Sequence, residues 1–498
     1  MKILSAAQIR EVDACTIARE PIASLDLMER AAQAFTDWFA ARYNNSQSVK
    51  VICGLGNNGG DGLAIARMLY WMRYPVQVSV VRHADKTSAD FAANFNRLPE
   101  EITVREIRQS VDIGAFAETD VVIDAIFGSG LSRPADGLAA EMIGSVNASR
   151  AVVVAVDMPS GLFTDKPQPG TNIIRAAHTV SFQLPKLAFL LPQNAAFVGD
   201  WHLLDIGLHQ TAIEKSVTDN EYTDETLVKT YLRKREKYSH KGTYGHALLV
   251  AGSHGKIGAA VLAARACLRA GTGLLTVHVP QCGYAIMQAA VPEAMTLTDK
   301  TENHVSEVAD TERYAAIGIG PGLGTHEATA QALHGLLQRT RRPMVLDADA
   351  LNILAQHPDW LALVPPGSIL TPHPKEFERL AGKAADDYDR LDLARRLAAK
   401  YQATIVLKGA HTAVVLPSGR ILFNSTGNPG MATGGTGDVL TGIITALLAQ
   451  GHPPEQAAVL GVYLHGAAGD EAARRKGQHS LIASDVVDFL PVAFMALQ

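Results

Sequence analysis

The sequence contains little cysteine, few charged residues and no long apolar run. Its four cysteines (Cys15, Cys53, Cys267 and Cys282) form no CxxC pair and show no spacing typical of a metal site, a pattern characteristic of a reducing compartment. The first residues lack the apolar core of a signal peptide, and no apolar segment reaches the length of a membrane span. We therefore expect a soluble, cytoplasmic protein that has no membrane partner.

The low charge content also limits the possible partners. Only 19% of the residues are charged, and the formal net charge is −5 over 498 residues, so nothing in the charge balance favours binding to nucleic acid. The apolar content of 47% indicates well-buried globular domains. A chain of this length predicts two or three such domains, and we find no internal repeat or low-complexity tract.

Short apolar runs alternate with helical segments along the whole chain. This alternation predicts mostly parallel sheets that are covered by helices on both faces. In the first half, residues 5 to 42 predict two helices, and residues 61–73 predict a further one. The predicted strands of that half are 49–53, 76–81, 121–125, 151–156, 179–182 and 201–204. Those of the second half are 246–251, 274–279, 315–319, 344–347, 404–408 and 412–416.

A polar segment separates the two series. Residues 209–240 are strongly charged around LRKREK (232–237), and we interpret this stretch as a solvated connector. The sequence therefore predicts two doubly wound α/β domains in tandem. We place the first domain at residues 1–210, a linker at 211–224 and the second domain at 225–498.

The segment NPGMATGGTGDVL (428–440) carries the strongest chemical signal. Glycines at 430, 434, 435 and 437 allow close approach of the backbone, and the apolar run that follows predicts a buried helix. A glycine-rich turn that opens a helix directs free N–H groups at an anion, typically phosphate. Asp438 would lie in the first helical turn, where it could act on a hydroxyl group or simply cap the helix.

A second glycine-rich turn follows the first predicted strand. Gly54, Gly56 and Gly59 match the GxGxxG dinucleotide pattern. However, the second predicted strand ends at Arg82 and His83, without the acidic residue that would hold a ribose. This argues against an ordinary dehydrogenase, while phosphate binding by backbone amides remains possible.

Oxygen-bearing side chains follow three predicted strands of the first half. Asp124, Asp157, Asn58 and Ser160 should converge, because ligands of open α/β sheets bind at the carboxyl ends of the strands. Hard cations prefer oxygen ligands, so these residues are candidates for a cation site. Alternatively, Asp124 and Asp157 cap the loops that follow their strands.

The motifs of the first half are LMERA (27–31), GNNGGDG (56–62), DAIFGSGLSR (124–133) and VDMPSG (156–161). Over residues 1–210 the chain resembles the YjeF N-terminal domain, the NAD(P)HX epimerase family, which has a Rossmann-like fold. The resemblance implies a potassium ion held near Asn58, Asp124 and Ser160, with Asp157 as a catalytic residue beside the nicotinamide hydrate. The implied substrate-binding residues are Asn57, Asn58, Gly59, Gly60, Asp61, Gly128, Ser129, Gly130, Leu131, Ser132, Arg133, Pro134 and Asp157.

The second half contains HKGTYG (240–245), DADALN (347–352), TPHPKE (371–376), KGAHT (408–412) and NPGMATGGTGD (428–438). Their order matches the ribokinase-like superfamily. More closely, residues 225–495 resemble the YjeF C-terminal domain, an ADP- or ATP-dependent NAD(P)HX dehydratase. The implied nucleotide-binding residues are Lys408, Gly409, Ala410, His411, Thr412, Gly434, Gly435, Thr436 and Gly437. Those implied to face the hydrated dinucleotide are Ala259, Gly322, His373 and Asp438.

Together the two resemblances imply a bifunctional nucleotide-repair enzyme. It would epimerise R- and S-NADHX and NADPHX and dehydrate the S form with ADP, with Mg²⁺ and K⁺ as cofactors. Asp438 would activate the hydroxyl group of the hydrate, and the chain would form a homo-oligomer, a tetramer or larger. His373 has an alternative role, because a residue between two prolines could simply satisfy local backbone groups. The alternative functions are a small-molecule kinase with an accessory domain and a nucleotide-binding protein without catalysis.

Overall fold

The computed structural model describes all residues from Met1 to Gln498 and divides them into two compact units. The N-terminal unit comprises Met1–Thr218, and the C-terminal unit comprises Asp219–Gln498. The division falls inside the segment 211–224, which the sequence marks as a linker.

The N-terminal unit contains a seven-stranded sheet in the order β3-β2-β1-β4-β5-β6-β7, and every neighbouring pair of strands is parallel. Its elements are α1 (Ala6–Arg19), α2 (Ser24–Ala40), β1 (Val49–Cys53), α3 (Asn57–Trp71), β2 (Val76–Val81), α4 (Ala89–Phe95), β3 (Thr103–Ile107), β4 (Val121–Ala125), α5 (Gly137–Ala148), β5 (Val152–Val156), β6 (His178–Phe182), α6 (Ala195–Val198), β7 (Asp200–Leu204) and α7 (Gln210–Lys215).

The two faces of this sheet are buried under different helices. Val51 on β1 packs with residues of α2 and α3, whereas its neighbour Ile52 packs with residues of α5. Burial on both faces explains why the central strands are apolar at nearly every position. The strand order reverses between β1 and β4, so a crevice opens at their carboxyl ends.

The C-terminal unit contains a ten-stranded sheet in the order β11-β10-β9-β12-β13-β14-β15-β16-β17-β8. It is parallel except for the antiparallel pairs β15–β16 and β16–β17. Its elements are β8 (Asn220–Tyr222), α8 (Glu225–Tyr231), β9 (His246–Val250), α9 (Ile257–Arg269), β10 (Leu274–Val279), α10 (Tyr284–Ala290), β11 (Met295–Thr298), β12 (Ala316–Ile319), α11 (Glu327–Arg339), β13 (Met344–Leu346), α12 (Ala348–Gln356), β14 (Ile369–Leu370), α13 (Pro374–Ala381), α14 (Asp387–Tyr401), β15 (Thr404–Leu407), β16 (Ala413–Val415), β17 (Ile421–Phe423), α15 (Thr436–Ala449), α16 (Pro454–Lys476) and α17 (Ala483–Leu497).

Helix α15 lies at the centre of the C-terminal unit. Every residue from Val439 to Ala449 is buried, as expected for a helix that is apolar on all sides. It approaches α9 so closely that a Cβ atom on Gly442 would lie 2.1 Å from the carbonyl oxygen of Ala263. The loop before α15 is therefore attached to a rigid element.

The prediction of two doubly wound α/β domains is confirmed, but several elements were missed. The strands β3, β8, β11, β14 and β17 have no counterpart among the predicted runs. β3 alternates exposed and less exposed residues, and β14 has only two residues, so neither gives an apolar run. The predicted connector 209–240 contains α7, β8 and α8. Helix α3 begins at Asn57 rather than near Asp61. The sequence pattern placed the start too late because the first turn consists of asparagine and glycine, which have low helix propensity.

None of the helices combines the length and the apolar character that a membrane span requires.

Substituting Gly442 with alanine should destabilise the C-terminal unit by about 1–3 kcal/mol, because the added methyl group would push α15 away from α9. Calorimetric unfolding of the full chain would measure the change. Gly335→Ala is the matched control in α11, where a Cβ atom would meet only the Arg339 side chain at 3.3 Å. That variant should be unchanged or slightly more stable, by up to about 1 kcal/mol. Equal stability of the two variants would contradict the packing argument.

Candidate active sites

The N-terminal crevice begins where β1 passes into α3. Glycine is required in this turn, because a Cβ atom on Gly54 would lie 2.0 Å from the carbonyl oxygen of Ile126, and one on Gly59 would lie 2.0 Å from that of Gly54. The close approach places the first turn of α3 beside the loop that follows β4. The N–H groups at this helix start are therefore available to an anion.

A cavity of ≈ 620 Å³ lies in this crevice. Most of the residues predicted to bind substrate line it, whereas Gly59, Gly60 and Pro134 do not. The predicted residues that line it are Asn57, Asn58, Asp61, Gly128, Ser129, Gly130, Leu131, Ser132, Arg133 and Asp157.

Asp124 and Ser160 form a buried cluster at the ends of β4 and β5. Ser160 donates to Asp124 through its hydroxyl group at 2.6 Å and through its backbone N–H at 2.8 Å. Burial raises the pKa of Asp124 to about 6, although the bonds from Ser160 oppose the shift. Ser160 also contacts the backbone of Phe127, and Asn58 packs on the next residue, Gly128, with its Nδ2 atom unpaired. The three predicted potassium ligands therefore lie around one loop.

Asp157 is held in an unusual conformation with φ at 63°. Its carboxylate accepts hydrogen bonds from the Ser181 hydroxyl group at 3.0 Å and the Ser129 N–H at 3.2 Å. It also forms an ion pair of 2.9 Å with Lys186. Burial alone would raise the pKa of Asp157, but the Lys186 ammonium group and the hydrogen bonds lower it on balance. Asp157 is therefore an ionised carboxylate at the cavity wall.

Two further residues of this cavity were not recognised from the sequence. Lys186 is only 1% exposed, and its ammonium group also donates to Ser181 at 2.7 Å and to the Phe182 carbonyl at 3.1 Å. A lone lysine inside the apolar run 179–191 was the available signal. Asp13 comes from α1 and lines the same cavity. Burial and the nearby Asp157 raise the pKa of Asp13 to about 6.

The candidate site of the C-terminal unit lies at the start of α15. Gly435 precedes the helix with φ at 96°, and no side chain caps the helix start. A Cβ atom on Gly434 would meet no other atom within 4 Å, so the turn is open on that side. Asp438 accepts no hydrogen bond from the cap, which argues against the capping alternative. Burial and the nearby Asp347 raise the pKa of Asp438 to about 6, although Lys408 opposes the shift.

An ion pair between Asp347 and Lys408 lies close to Asp438 in this site. Asp347 at the end of β13 accepts from Lys408 at 2.9 Å and from the Thr441 hydroxyl group at 2.7 Å. Glu376 lies 3.9 Å from the same ammonium group. Burial would lower the pKa of Lys408, but these carboxylates and Asp438 raise it on balance. Asp347 belongs to the DADALN motif, but no role was predicted for it from the sequence.

The remaining predicted residues come from other elements of the same unit. His373 caps α13, where its Nδ1 atom accepts from the N–H groups of Lys375 and Glu376, so its alternative local role is present in the structure. Gly322 has φ at 59°, and a Cβ atom there would lie 2.9 Å from the Ala259 side chain. These two predicted substrate-binding residues are therefore neighbours.

The turn that contains Lys408, Gly409, Ala410, His411 and Thr412 joins β15 to β16. The hydroxyl group of Thr412 bonds with the backbone of Gly409 in both directions, which closes the turn. The loop that leads to α15 is fixed by α16, because Asp470 accepts from the Gly427 N–H at 2.8 Å and from Asn428 at 2.9 Å. Asp470 was not recognised from the sequence, since the middle of a helix gives no motif.

Comparisons with known proteins cover both units. The family model described as NAD(P)H-hydrate dehydratase matches residues 247–491, and the YjeF-related protein N-terminus matches residues 24–188. The bifunctional NAD(P)H-hydrate repair enzyme Nnr of Moorella thermoacetica is 37% identical over 100% of this chain and 97% of its own length. The enzyme of the same name from Escherichia coli is 35% identical over 93% of this chain and 88% of its length. The chain belongs to the family of bifunctional NAD(P)H-hydrate repair enzymes.

A solved structure supports the fold of the C-terminal unit of this repair enzyme. A ribokinase-like superfamily protein from Enterococcus faecalis is 29% identical, with a TM-score of 0.51, over 57% of this chain and 98% of its own. An ADP/ATP-dependent NAD(P)H-hydrate dehydratase from Bacillus subtilis, co-crystallised with ATP/Mg²⁺, is 34% identical with a TM-score of 0.49. It covers 56% of this chain and 99% of its own.

The predicted family and function are confirmed by these matches. The repair enzyme combines an NAD(P)HX epimerase with an NAD(P)HX dehydratase in one chain. The matches do not favour the two alternative functions, a kinase alone and a binding protein without catalysis. The roles of individual residues stay predictions.

Replacing Lys186 with methionine should destabilise the N-terminal unit by roughly 3–5 kcal/mol at neutral pH, because it leaves the Asp157 carboxylate buried without its cation. Since pairing lowers the pKa of Asp157, this stabilisation is present above the unfolded value near ~4 and is lost as the pH falls through the folded value. The difference between wild type and variant should therefore narrow on acidification. Urea unfolding at several pH values from neutral to acidic measures this difference in the free energy of unfolding.

The exposed Lys166→Met provides the matched control. It should retain wild-type stability at every pH, and an equal loss in both variants would refute the role of the ion pair.

Proposed function

We propose that Asp438 is the base of the dehydratase reaction and that the turn before it binds the phosphates of ADP. One observation carries the proposal. A carboxylate without a capping role stands in the first turn of a buried helix, beside a glycine turn that is open to an anion. A carboxylate so close to a bound phosphate is useful if it receives a proton from the attacking hydroxyl group.

The nucleotide would lie along two segments of the C-terminal unit. The amides of Gly434, Gly435, Thr436 and Gly437 point from the start of α15 and suit a phosphate. The turn Lys408, Gly409, Ala410, His411 and Thr412 would contact the rest of the adenine nucleotide. A Cβ atom on Gly437 would lie 3.5 Å from the Lys408 ammonium group, so this cation can reach a phosphate beside the turn.

In addition to the Lys408 ammonium group, we propose that Mg²⁺ binds at the nucleotide site. This ion usually binds through substrate phosphates and one or two carboxylates, and Asp347 and Asp438 supply carboxylates next to the glycine turn. The oxygen atoms therefore fit the ion, which would lower the negative charge of the phosphates.

The hydrated dinucleotide would lie on the other side of Asp438. Ala259 and Gly322 lie against each other, and His373 lies near Lys408 and Glu376. Asp438 would take the proton of the hydrate hydroxyl group, whose oxygen then attacks the terminal phosphate of ADP and releases AMP. A phosphate ester leaves more readily than hydroxide, so elimination of phosphate restores the dihydronicotinamide of NADH or NADPH.

In the N-terminal unit we propose that the cavity binds R- and S-NADHX and NADPHX. The start of α3, from Asn57 to Asp61, and the loop from Gly128 to Pro134 would hold the dinucleotide. Asp157 would lie beside the hydrated ring. We also propose that the chain forms a homo-oligomer, a tetramer or larger, as the family resemblance implies.

Asn58, Asp124 and Ser160 would hold potassium at the same site. They present a carboxylate, a hydroxyl group and an amide, which are oxygen donors suited to a hard cation. No lysine or arginine pairs with the buried Asp124 carboxylate, and burial raises its pKa. A bound K⁺ would supply the missing positive charge and fix the loop that contains Gly128.

Asp438→Asn should abolish the ADP-dependent recovery of NADH from S-NADHX, while R and S hydrates still interconvert. Asp157→Ala should do the reverse. Since burial raises the pKa of Asp438 to about 6, wild-type kcat/KM for dehydration should fall as the pH drops below that value. Absorbance of the dihydronicotinamide measures dehydration, and chromatography of the hydrates measures epimerisation.

Each variant serves as the control for the other, because each leaves one activity intact. Unchanged dehydration by Asp438→Asn would refute the assigned base. A flat signal from the wild type with both ADP and ATP would refute the repair reaction itself.

Replacing KCl with NaCl at equal ionic strength should lower the thermal stability of the N-terminal unit and its epimerase activity. Ser160→Ala should reduce the response to KCl, because it removes one proposed ligand and a hydrogen bond to Asp124. The exposed Ser46→Ala is the matched control and should respond as the wild type does. Equal stability and activity in both salts would refute a potassium site.

A further inference from the structure

Helix α1 contributes a carboxylate to the epimerase cavity that no motif assigns. The YjeF N-terminal family model matches residues 24–188 and so excludes this helix. Ile9, Asp13 and Ile17 recur every four residues, which places them on one helix face, and all three line the cavity. The helix therefore forms a wall of the site.

Helix α1 is fixed firmly enough to position a side chain. Its start is closed by the reciprocal capping bonds of Ser5 and Gln8. The N–H of Ala6 donates to Asp165 at 3.0 Å, and the hydroxyl group of Thr16 accepts from the His209 N–H at 2.9 Å. Asp13 is thus held from both ends of its helix.

Part of the cavity wall is apolar, and Asp13 lies there on α1 between Ile9 and Ile17. These two isoleucines belong to one apolar cluster with Leu27, Phe182 and Leu208, and these residues line the cavity. The Phe182 carbonyl accepts from Lys186, so the Asp157–Lys186 pair borders the same part of the wall. A nicotinamide ring, the least polar part of the substrate, suits this apolar wall.

The two aspartates at this end differ in their partners. Asp157 has Lys186 at 2.9 Å and two hydrogen-bond donors. Asp13 forms no ion pair or hydrogen bond within the N-terminal unit, and burial with the nearby Asp157 raises its pKa to about 6, against the effect of Lys186. Two carboxyl groups in opposed environments are typical of an acid and its ionised partner.

We propose that Asp13 is the general acid–base residue of epimerisation and that Asp157 is its ionised partner, an inference that rests on the role proposed for Asp157. The hydrate carries its hydroxyl group on the ring carbon next to the ring nitrogen. Asp13 donates its proton to this hydroxyl group as the C–O bond breaks, and the electron pair of that bond leaves with the oxygen as water. The nitrogen lone pair forms a C=N bond, and the cationic ring lies beside the Asp157 carboxylate.

The reverse step gives the other epimer. Water adds to the opposite face of the ring carbon, the C=N electron pair returns to nitrogen, and the proton released from this water returns to the Asp13 carboxylate. Atoms and charge balance without a redox cofactor. Asp13 is suited to both directions because a pKa near neutrality favours proton transfer either way.

Asp61 is the competing candidate for the general acid–base residue. Its pKa is raised well above the ordinary value by burial and by Asp157, Asp13 and Asp90. However, Asp61 lies near the start of α3, among the residues proposed to hold the dinucleotide, whereas Asp13 lies on α1 between the apolar residues Ile9 and Ile17. The charged and titratable groups that face Asp13 or share its cavity are Arg10, Asp61, His83, Asp90, Arg133, Asp157 and Lys186.

The test compares Asp13→Asn, Asp13→Glu and Asp61→Asn with the wild type in the full chain. Interconversion of purified R- and S-NADHX is followed by chromatography from pH 5 to 9, above the uncatalysed rate. Asn replaces the protonated acid without a change of shape, so the fold should be retained. Glu11→Gln, an exposed change on the same helix, is the matched control.

Asp13→Asn should lower kcat by roughly 10²-fold or more with little change in KM. In the wild type kcat/KM should fall as the pH rises above about 6, and this fall should disappear in Asp13→Asn. Asp13→Glu should restore part of the rate and the pH dependence, and Glu11→Gln should match the wild type.

Wild-type kcat and pH dependence in Asp13→Asn would overturn the proposal. It would also be overturned if Asp61→Asn abolished the fall of kcat/KM at high pH while Asp13→Asn retained that fall. Absence of interconversion in the wild type would instead refute the epimerase assignment of the cavity, and ADP-dependent dehydration by the same sample would show that the chain is folded.

Discussion

A buried lysine–aspartate ion pair at the carboxyl edge of a parallel sheet occurs in both units. In the N-terminal unit, Asp157 follows β5 and pairs with Lys186 at 2.9 Å. In the C-terminal unit, Asp347 follows β13 and pairs with Lys408, also at 2.9 Å. Each aspartate is additionally bonded to a hydroxyl group. A charge in such a place is tolerated only with its partner, because an unpaired buried ion costs several kcal/mol.

Each ion pair lies near a second carboxyl group. The negative charge of the paired aspartate helps to raise the pKa of this neighbour, which lacks a direct cation. The neighbour is Asp13 in the N-terminal unit and Asp438 in the C-terminal unit, and burial is the larger cause in both. Each unit thus contains an ion-paired aspartate and a carboxyl group that can exchange a proton near neutral pH, an arrangement that suits acid–base catalysis.

The sequence predicted the parts of this arrangement that depend on local patterns. Apolar runs located most of the central strands within a residue or two, since a strand buried on both faces must be apolar throughout, but the two-residue β14 gave no such run. Glycines marked the turns where backbones touch, as at Gly54 and Gly435. These signals also located Asp438, because it stands next to its glycine turn in the chain.

The missed residues have a weak local signal or none. Lys186 reads as one charge in an apolar run, and only the folded chain shows that Asp157, 29 positions earlier, requires it. Asp13 lies on an ordinary amphipathic helix, and nothing in its neighbours distinguishes it from the exposed Glu11. Both residues are important because the fold brings them close to Asp157, and composition and spacing do not reveal such long-range proximity.

The two proposed reactions differ because the surroundings of the proton-exchanging carboxyl group differ. Asp438 lies at the start of a helix that is free to bind phosphate, so a hydroxyl group that it deprotonated would have a phosphoryl acceptor beside it. Asp13 lies on α1 between Ile9 and Ile17, which pack in the apolar part of the cavity wall. A hydroxyl group that it protonated would leave and return as water. The same kind of carboxyl pair would therefore support elimination through a phosphate ester in one unit and inversion of a carbon centre in the other.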